Sequence, residues 1–550
     1  MLHIKIVFLL AVLNIFVLKI QCNSCNENAG YLRCESCEDF VLYQVKGNPF
    51  RVIIGREENS VGTEKACICT KPVFSSVKSV EHLTLSNASV WQFSPQCMHG
   101  LNALKIIDLA YNELTSIDLS AFRTSAEMKI NTIQLHSNNI VDLDFTRVEL
   151  PELVVFNASR NHVISVKLKS QNIPVIDTMD LSRNQISLIE MESGLMRELN
   201  LSYNKITLFE GKNFVLPRLY TLDLTHNRLT SITPDMLVNV RAVRKIYLAH
   251  NFIHTSSLPG FDHIRILDFS YNSLNSVDNV SFMEETKVER LILNSNRVYQ
   301  LLTNQPYFKK VERFYCNTCY IINTESYIFE GIFSEIKYLS LESNHITTAD
   351  LFQARISGLA LRWIKLSKNN IRKIKNTDFE KLTNVKTLYL DNNEITRIAP
   401  RAFDLMKNLN KLVLSNNLIL KLQFFSPRFQ DLKYLDVSGN NMAFFEIPGL
   451  TERIDSASQN YAIYENLNTL VLFSNPLQCK CVDMIRSWAK NKETTLLIDD
   501  ESVRNGTKPS CIINEDGCKA NISIAFIRDL WYLFNDKKIR NAVDDSTEDL

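Results

Sequence analysis

An asparagine recurs every 20 to 26 residues through most of this chain, each time behind the same spacing of apolar residues. The spacing is Leu-x-x-Leu-x-Leu-x-x-Asn with other aliphatics allowed at the Leu positions. The series runs Asn112, Asn138, Asn161, Asn184, Asn204, Asn227, Asn251, Asn272, Asn296, Asn344, Asn369, Asn393, Asn417, Asn440 and Asn475. Cys319 fills the slot between Asn296 and Asn344, and a degenerate first copy spans Val80 to Ala88. About 17 such units cannot each bury a core alone, so they must stack into a solenoid whose core grows in one dimension. That escapes the size limit on a single globular core, which 550 residues would exceed.

Within each unit the Leu-x-Leu core reads as a short strand with alternating faces. In Leu199-Asn200-Leu201 the leucines turn inward and Asn200 outward. The ladder asparagine must also turn inward, which a polar amide tolerates only when backbone groups of adjacent turns satisfy it. A second ladder follows ten residues later: Phe122, Phe214, Phe261, Phe282, Phe329, Phe379 and Phe403, with Leu237 and Met98 at the same offset in two turns. Packing these bulky residues opposite the strands bends the stack with the strands concave. The fold class is an α/β solenoid, a horseshoe with a parallel concave β-sheet and cysteine caps at both ends.

The ends carry the remaining signals. Lys5 followed by the apolar run Ile6 to Leu18, broken only by Asn14, predicts a signal peptide over 1–22, cleaved near Cys22 or Ser24; a signal anchor is the alternative. The next apolar stretch, Ile522 to Phe534, holds Arg528 and Asp529 and is too short to span a bilayer. The acidic run Asp544 to Asp549 is unlike a glycolipid-anchor tail. A soluble secreted product without a transmembrane anchor is expected. Cysteine usage agrees, with six of the 13 in an N-terminal flank (Cys25, Cys34, Cys37, Cys67, Cys69, Cys97) and four at the far end (Cys479, Cys481, Cys511, Cys518). Zinc is the rival for Cys34-x-x-Cys37 with Cys67-x-Cys69. Cys316 and Cys319, both at inward positions of one repeat, read as buried structural thiols, with a local disulfide as the alternative. The expected division is 1–22 signal, 23–79 N-terminal flank, 80–477 repeats, 478–520 C-terminal cap and 521–550 tail. The long step from Asn440 to Asn475 makes Thr451 to Asn466 an insertion.

The motifs resemble those of extracellular leucine-rich-repeat proteins. The most specific match is Asn475-Pro476-Leu477-Gln478-Cys479-Lys480-Cys481 with Trp488, Cys511 and Cys518 downstream, similar to the C-terminal cysteine cap of that superfamily. The resemblance implies pairing of Cys479 with Cys511 and Cys481 with Cys518, in one order or the other. The N-terminal cysteines remain open among fifteen connectivities. In layout the chain looks like insect Toll-type ectodomains, chaoptin-like adhesion proteins and, above all, secreted leucine-rich immune proteins. It departs from many of the last group in lacking a coiled coil after Cys518.

No catalytic constellation is present: no nucleophile elbow, no phosphate loop and no carboxylate pair in a cleft. His226 and His250 share a column in adjacent repeats, but no third ligand type repeats there, so no metal or other cofactor is expected. A net charge of +1 argues against a nucleic-acid partner. Binding is the expected function. The outward strand columns are small, polar and mildly acidic in the N-terminal half (Asp108, Asn157, Thr178, Asp180, Asn200, Asp223). From Lys245 onward they become aromatic and basic, and Tyr247, Arg290, Arg313, Tyr315, Tyr338, Trp363, Lys365, Tyr389 and Lys411 are the expected partner-binding residues, Tyr, Trp and Arg being favoured anchors. Sequons fall at Asn87, Asn157, Asn200, Asn279, Asn505 and Asn521, and those at Asn157 and Asn200 would place glycans on the strand face of the acidic half. The expected partner is a protein or microbial-surface ligand met in invertebrate innate immunity. A cell-surface or matrix adhesion role is the alternative.

Overall fold

The computed structural model describes short stretches between residues 25 and 80, then residues 81–499 apart from 124–127, 300, 302–310, 323–334, 351–359, 423–430 and 446–465, and also Cys511. The expected signal peptide, the 451–466 insertion, Phe329, Cys37, Cys518, Asn505 and Asn521 lie outside the described residues, except that Asn466 itself is described. The chain forms a parallel-sheet solenoid of two compact units, one through Ile253 with Leu258–Asp262, the other comprising His254–Ser257 and everything from His263.

In the first unit, ten parallel strands stack in register. They run from Tyr31–Cys34 and Arg51–Ile54 through His82–Thr84, Ile106–Asp108, Thr132–Gln134, Val155–Asn157, Thr178–Asp180, Glu198–Asn200 and Thr221–Asp223 to Lys245–Tyr247. Two of these strands precede the first copy of the repeat, and Cys25–Asn28 pairs antiparallel to the outermost. The second unit stacks another ten, from His263–Asp268 and Lys287–Ile292 through Arg313–Tyr315, Tyr338–Ser340, Trp363–Lys365, Thr387–Tyr389, Lys411–Val413, Tyr434–Asp436 and Thr469–Val471 to Thr495–Leu497.

The inward positions are shut off from water: Leu199, Leu201, Ile364, Leu388 and Leu390 are all at or below 1% exposure. The described phenylalanines of the second ladder are buried as well, with Phe379 and Phe403 stacked at 5.6 Å. Ladder asparagines do what a buried amide must. Asn393 donates to the carbonyls of Leu366 (2.9 Å) and Leu390 (3.0 Å) while its oxygen accepts from Ile371 N (3.1 Å). Bonds from the side-chain amide to backbone carbonyls recur along the ladder from Asn112 to Asn475, although Asn272 and Asn475 are only half-buried. An amide such as Asn393 ties two repeats together, and an unmet buried group costs about 1–3 kcal/mol.

One regularity is not visible in the residue types. The residue before every ladder position, from Tyr111 to Ser474, has φ between 53° and 63°. This left-handed turn sends the chain away from the strand and is disfavoured for side chains other than glycine. Only Gly439 is glycine; the others include Arg183, Tyr203, His226 and His250, so the ladder bonds must outweigh the strain.

The expectation of free thiols in the anomalous repeat is overturned: Cys316 and Cys319 are joined, with their Cα atoms 5.6 Å apart. Both point inward from one tight turn, which brings the sulfurs together. Cys319 Sγ lies 3.3 Å from the Leu293 carbonyl, where other repeats place an amide donor, but a bridged sulfur has no proton to give it. At the ends, Cys69 bonds Cys97 and Cys479 bonds Cys511, while Cys34 and Cys481 are also in disulfides. Cys69 is therefore not available to zinc. Cys479–Asn491 is a helix whose buried Cys481, Val482, Ile485, Trp488 and Ala489 fall on one face at i, i+1, i+4, i+7 and i+8, closing the last core layer.

Candidate functional site

The strand face differs between the two units in what its outward residues are used for. In the first unit, the position after the central apolar residue is mostly Asp or Asn, and its side chain turns back on its own loop. Asp108, Asn157, Asp180, Asn200 and Asp223 each accept the backbone N–H two residues on, at 2.9, 2.9, 2.9, 3.0 and 2.8 Å. These oxygens stabilise the approach to the left-handed residue, as Asx turns do. The apparent acidity of this half is thus largely a turn requirement. At Asn157 and Asn200 it is the oxygen that is engaged, so the amide nitrogen to which a glycan attaches is not consumed by that bond.

Across the central strands of the second unit this position holds Ile292, Tyr315, Ser340, Lys365, Tyr389 and Val413. Side-chain acceptors two residues further on find partners sideways instead. Asn294 accepts from Asn317 N (2.8 Å), Asn317 from Glu342 N (2.9 Å) and Ser340 Oγ (2.7 Å), and Asp391 from Ser367 Oγ (2.6 Å). Moving the acceptor two residues along the chain releases the outward position for large side chains.

Those side chains contact one another across strands. The Arg313 guanidinium sits 4.4 Å from the Tyr338 ring, Trp363 and Tyr389 lie 5.6 Å apart, and Lys411 stands 5.3 Å from Tyr389 and 4.4 Å from Tyr434. Cation–π contacts of this kind hold a charge at a surface without neutralising it. All are half-buried rather than fully exposed, because each shields the next. Burial, then Asp436 and Tyr389, push the Tyr434 phenol above its usual range.

Charge pairs occur in both units, with Arg265–Glu289 at 3.8 Å and Lys337–Glu312 at 3.2 Å in the second, but the second unit also holds a set of cations without a carboxylate. On the first unit's face Lys105 pairs with Glu81 (2.9 Å), Arg197 with Asp177 (3.0 Å) and Arg244 with Asp262 (4.0 Å). In the second unit Arg290, Arg313, Arg362, Lys386, Lys411 and Lys433 have no carboxylate within 4.0 Å among the described residues. The Nε atoms of Arg290 and Arg313 are buried with no hydrogen-bond partner. Lys365 is different: it and Lys368 hold Glu342 at 2.6 and 3.0 Å. Burial works against that carboxylate's charge, but the two lysines outweigh it and keep its pKa below the usual value.

Of the nine residues expected at the binding face, eight lie on strands of the second unit and Tyr247 lies in the first. Arg290, Arg313, Tyr315, Tyr338, Trp363, Tyr389 and Lys411 take outward strand positions, whereas Lys365 bonds to Glu342. Arg362, Lys386 and Lys433 escape the sequence reading, because they stand one residue ahead of the two columns it compares. A third column exposes the row. At the turns of the first unit, Tyr203, His226 and His250 stack with centroids 4.0 Å apart in each step, and Arg183 covers Tyr203 at 4.3 Å. Burial, then His250 and Arg183, lower the His226 pKa. No group of three or more metal-ligating residues occurs among the described residues.

Family profiles described as leucine rich repeat match residues 194–253 and 360–419, and one described as a BspA type leucine rich repeat region matches 64–162. Human leucine-rich repeats and immunoglobulin-like domains protein 1 is 27% identical over 35% of this chain, a stretch that spans only 16% of that protein. Bovine lumican is 24% identical over 50% of this chain and 74% of its own length. A solved structure of the glycosylated Drosophila Toll–Spatzle complex aligns with TM-score 0.52 and 13% identity, covering 91% of this chain and 71% of that one. Over the residues these profiles match, the chain carries leucine-rich repeats. No described helix is long and apolar enough to cross a membrane.

Proposed function

We propose that this chain is an extracellular, non-enzymatic recognition protein that binds a protein or microbial-surface partner on the strand face of its second unit, between Arg290 and Tyr434. The observation that carries this reading is the coexistence there of half-buried aromatics with Arg290, Arg313, Arg362, Lys386, Lys411 and Lys433, which have no acidic partner among the described residues. Like charges gathered without carboxylates repel one another and add nothing to folding, whereas Trp, Tyr and Arg are the residues that anchor interfaces. The first unit's face offers less, since Lys105, Arg197 and Arg244 are paired and its acids serve its turns. Glycans at Asn157 and Asn200 would further occupy that first face. The role in invertebrate immunity rests on the layout the chain shares with secreted insect repeat proteins and on the fold it shares with Toll.

The test is capture of partners from body fluid by the immobilised full chain, alongside Arg313→Glu with Lys411→Glu and, as control, Arg197→Glu. Loss of the same captured components on the first variant only is the expected result. Equal capture by both variants contradicts the assignment. Retention on insoluble matrix or cell membranes, with nothing soluble recovered, would favour the adhesion reading.

A further inference from the structure

The residues that follow the ladder positions line one edge of the solenoid, past the left-handed turn and off the strand face. Between Asn112 and Asn475 the smallest of them is Ser273, where other repeats carry His162, Gln185, Lys205, Arg228 or Tyr320. Beside it is a hollow of about 500 Å³, lined by Asn272, Ser273, Asn275, Arg297 and Tyr299, all within the second unit. The hollow reaches in to the ladder, and Asn272 is half-buried where its counterparts Asn251 and Asn296 are buried. We propose that this hollow is a binding site for an acidic sugar residue, a hexuronate, with the sugar carboxylate on Arg297 and the ring against Tyr299. It is separate from the strand face and does not depend on the reading of that face.

The backbone of the walls is fixed while the side chains are uncommitted. The Arg297 N–H donates to the Leu274 carbonyl at 2.9 Å, which holds Arg297 beside the Ser273 to Asn275 stretch. The Asn279 side-chain oxygen accepts from Asn275 N (3.2 Å) and Ser276 N (2.8 Å), which pins Asn275. The side chains of Ser273, Asn275, Arg297 and Tyr299 bond to nothing among the described residues. Elsewhere along this edge such side chains bond one another, Lys205 to Gln185 at 2.8 Å and Arg372 to Glu394 at 3.1 Å. The donor set selects the ligand. A single guanidinium without a carboxylate beside it takes one anionic group, and its planar fork matches a carboxylate. The Asn275 amide and the Ser273 and Tyr299 hydroxyls both donate and accept, as the hydroxyls of a sugar ring do. Tyr299, 50% exposed, offers the apolar face of its ring to the C–H side of a pyranose. An apolar ligand would leave Ser273, Asn275 and Arg297 unpaired. A bare phosphate is poorly served, because the backbone N–H groups of Asn275 and Arg297 are already used and only one cation is present.

Ligand-observed NMR titration of the full chain with methyl glucuronide reads the site directly. A dissociation constant in the millimolar range is expected for a ligand of this size. Methyl glucoside, which lacks the carboxylate, should bind at least about tenfold more weakly. Arg297→Gln should erase that preference, and Tyr299→Ala should weaken methyl glucuronide at least about tenfold. Neither side chain bonds to the fold, so both variants should melt as the unaltered chain does. Arg313→Glu on the strand face should leave the titration unchanged, so failure of this site and failure of the partner face are read separately. Absence of saturation well above the millimolar range overturns the proposal, as does equal affinity for methyl glucoside or an unchanged preference in Arg297→Gln. Displacement of methyl glucuronide by an equal concentration of inorganic phosphate would refute it too, because the hollow would then be selecting charge and not a sugar.

Discussion

The strands from Ile106 to Asp223 and those from Arg290 to Val413 share register, an inward amide ladder and the same left-handed turn, but they satisfy that turn differently. In the first set the outward Asp or Asn bends back to its own loop, so the face is committed to folding. In the second set Asn294, Asn317 and Asp391 bond sideways to the neighbouring repeat, and the outward position is open to Tyr315, Lys365 and Tyr389. A two-residue shift in where the acceptor sits therefore separates a face used by its own turns from one whose outward positions hold large side chains. Composition alone, acidic against aromatic, hides that cause.

The largest expected effects fall on what the two regions have in common. Asn184→Leu in the first unit and Asn393→Leu in the second each leave two carbonyls and one N–H without partners, at 2.9 to 3.1 Å in the native ladder. Each should cost roughly 3 kcal/mol in denaturant titrations. A clear inequality would mean that the ladder is not shared.

A smaller effect should separate the regions. Asp180→Tyr removes the acceptor of Ser182 N and should cost about 1 kcal/mol, comparable with losing a helix cap. The opposite change, Tyr389→Asn, should leave stability nearly unaltered. If both changes are neutral, the turn bonds do not explain the acidic column.

The smallest effect is one of pH. The folded His226 pKa lies below its ordinary value of 6.5, chiefly through burial and then through His250 and Arg183, with Asp223 pulling the other way. The unfolded chain thus takes up the proton more readily. The stability this group contributes is full above 6.5 and is lost as pH falls through the folded pKa. Melting curves between about pH 7.5 and about pH 5 should slope less for His226→Phe, which keeps a ring between Tyr203 and His250 without a proton to gain. An unchanged slope would place the acid sensitivity elsewhere.

How far the sequence foretells this structure depends on whether a side chain's task requires its chemical type. The ladder asparagines and the inward leucines are legible because only those types serve, and the solenoid follows from them. The left-handed row is not, since Tyr111, Arg183, His226 and Ser474 share a backbone angle and nothing else. Asp108 and Asp180 read as surface acidity because a carboxylate bonded to its own loop has the same spelling as a free one. Lys365 sits in the column expected to face a partner, and no spacing rule announces that Glu342 arrives from the preceding repeat to hold it. Cys316 and Cys319 fit a core of small apolar residues equally well as thiols or as a disulfide, and only their placement in one turn decides.

The central claim is that recognition resides on the second unit's strand face and not on the first's. With a captured partner in hand, the most direct measurement is its affinity for Trp363→Ala set against Thr178→Ala and Asp180→Ala in the otherwise intact chain. Loss of a central aromatic anchor should weaken binding by ~2 kcal/mol, about thirtyfold, while Thr178→Ala and Asp180→Ala should bind as the unaltered chain does. Sensitivity at Thr178 and Asp180 with Trp363→Ala silent would contradict the account.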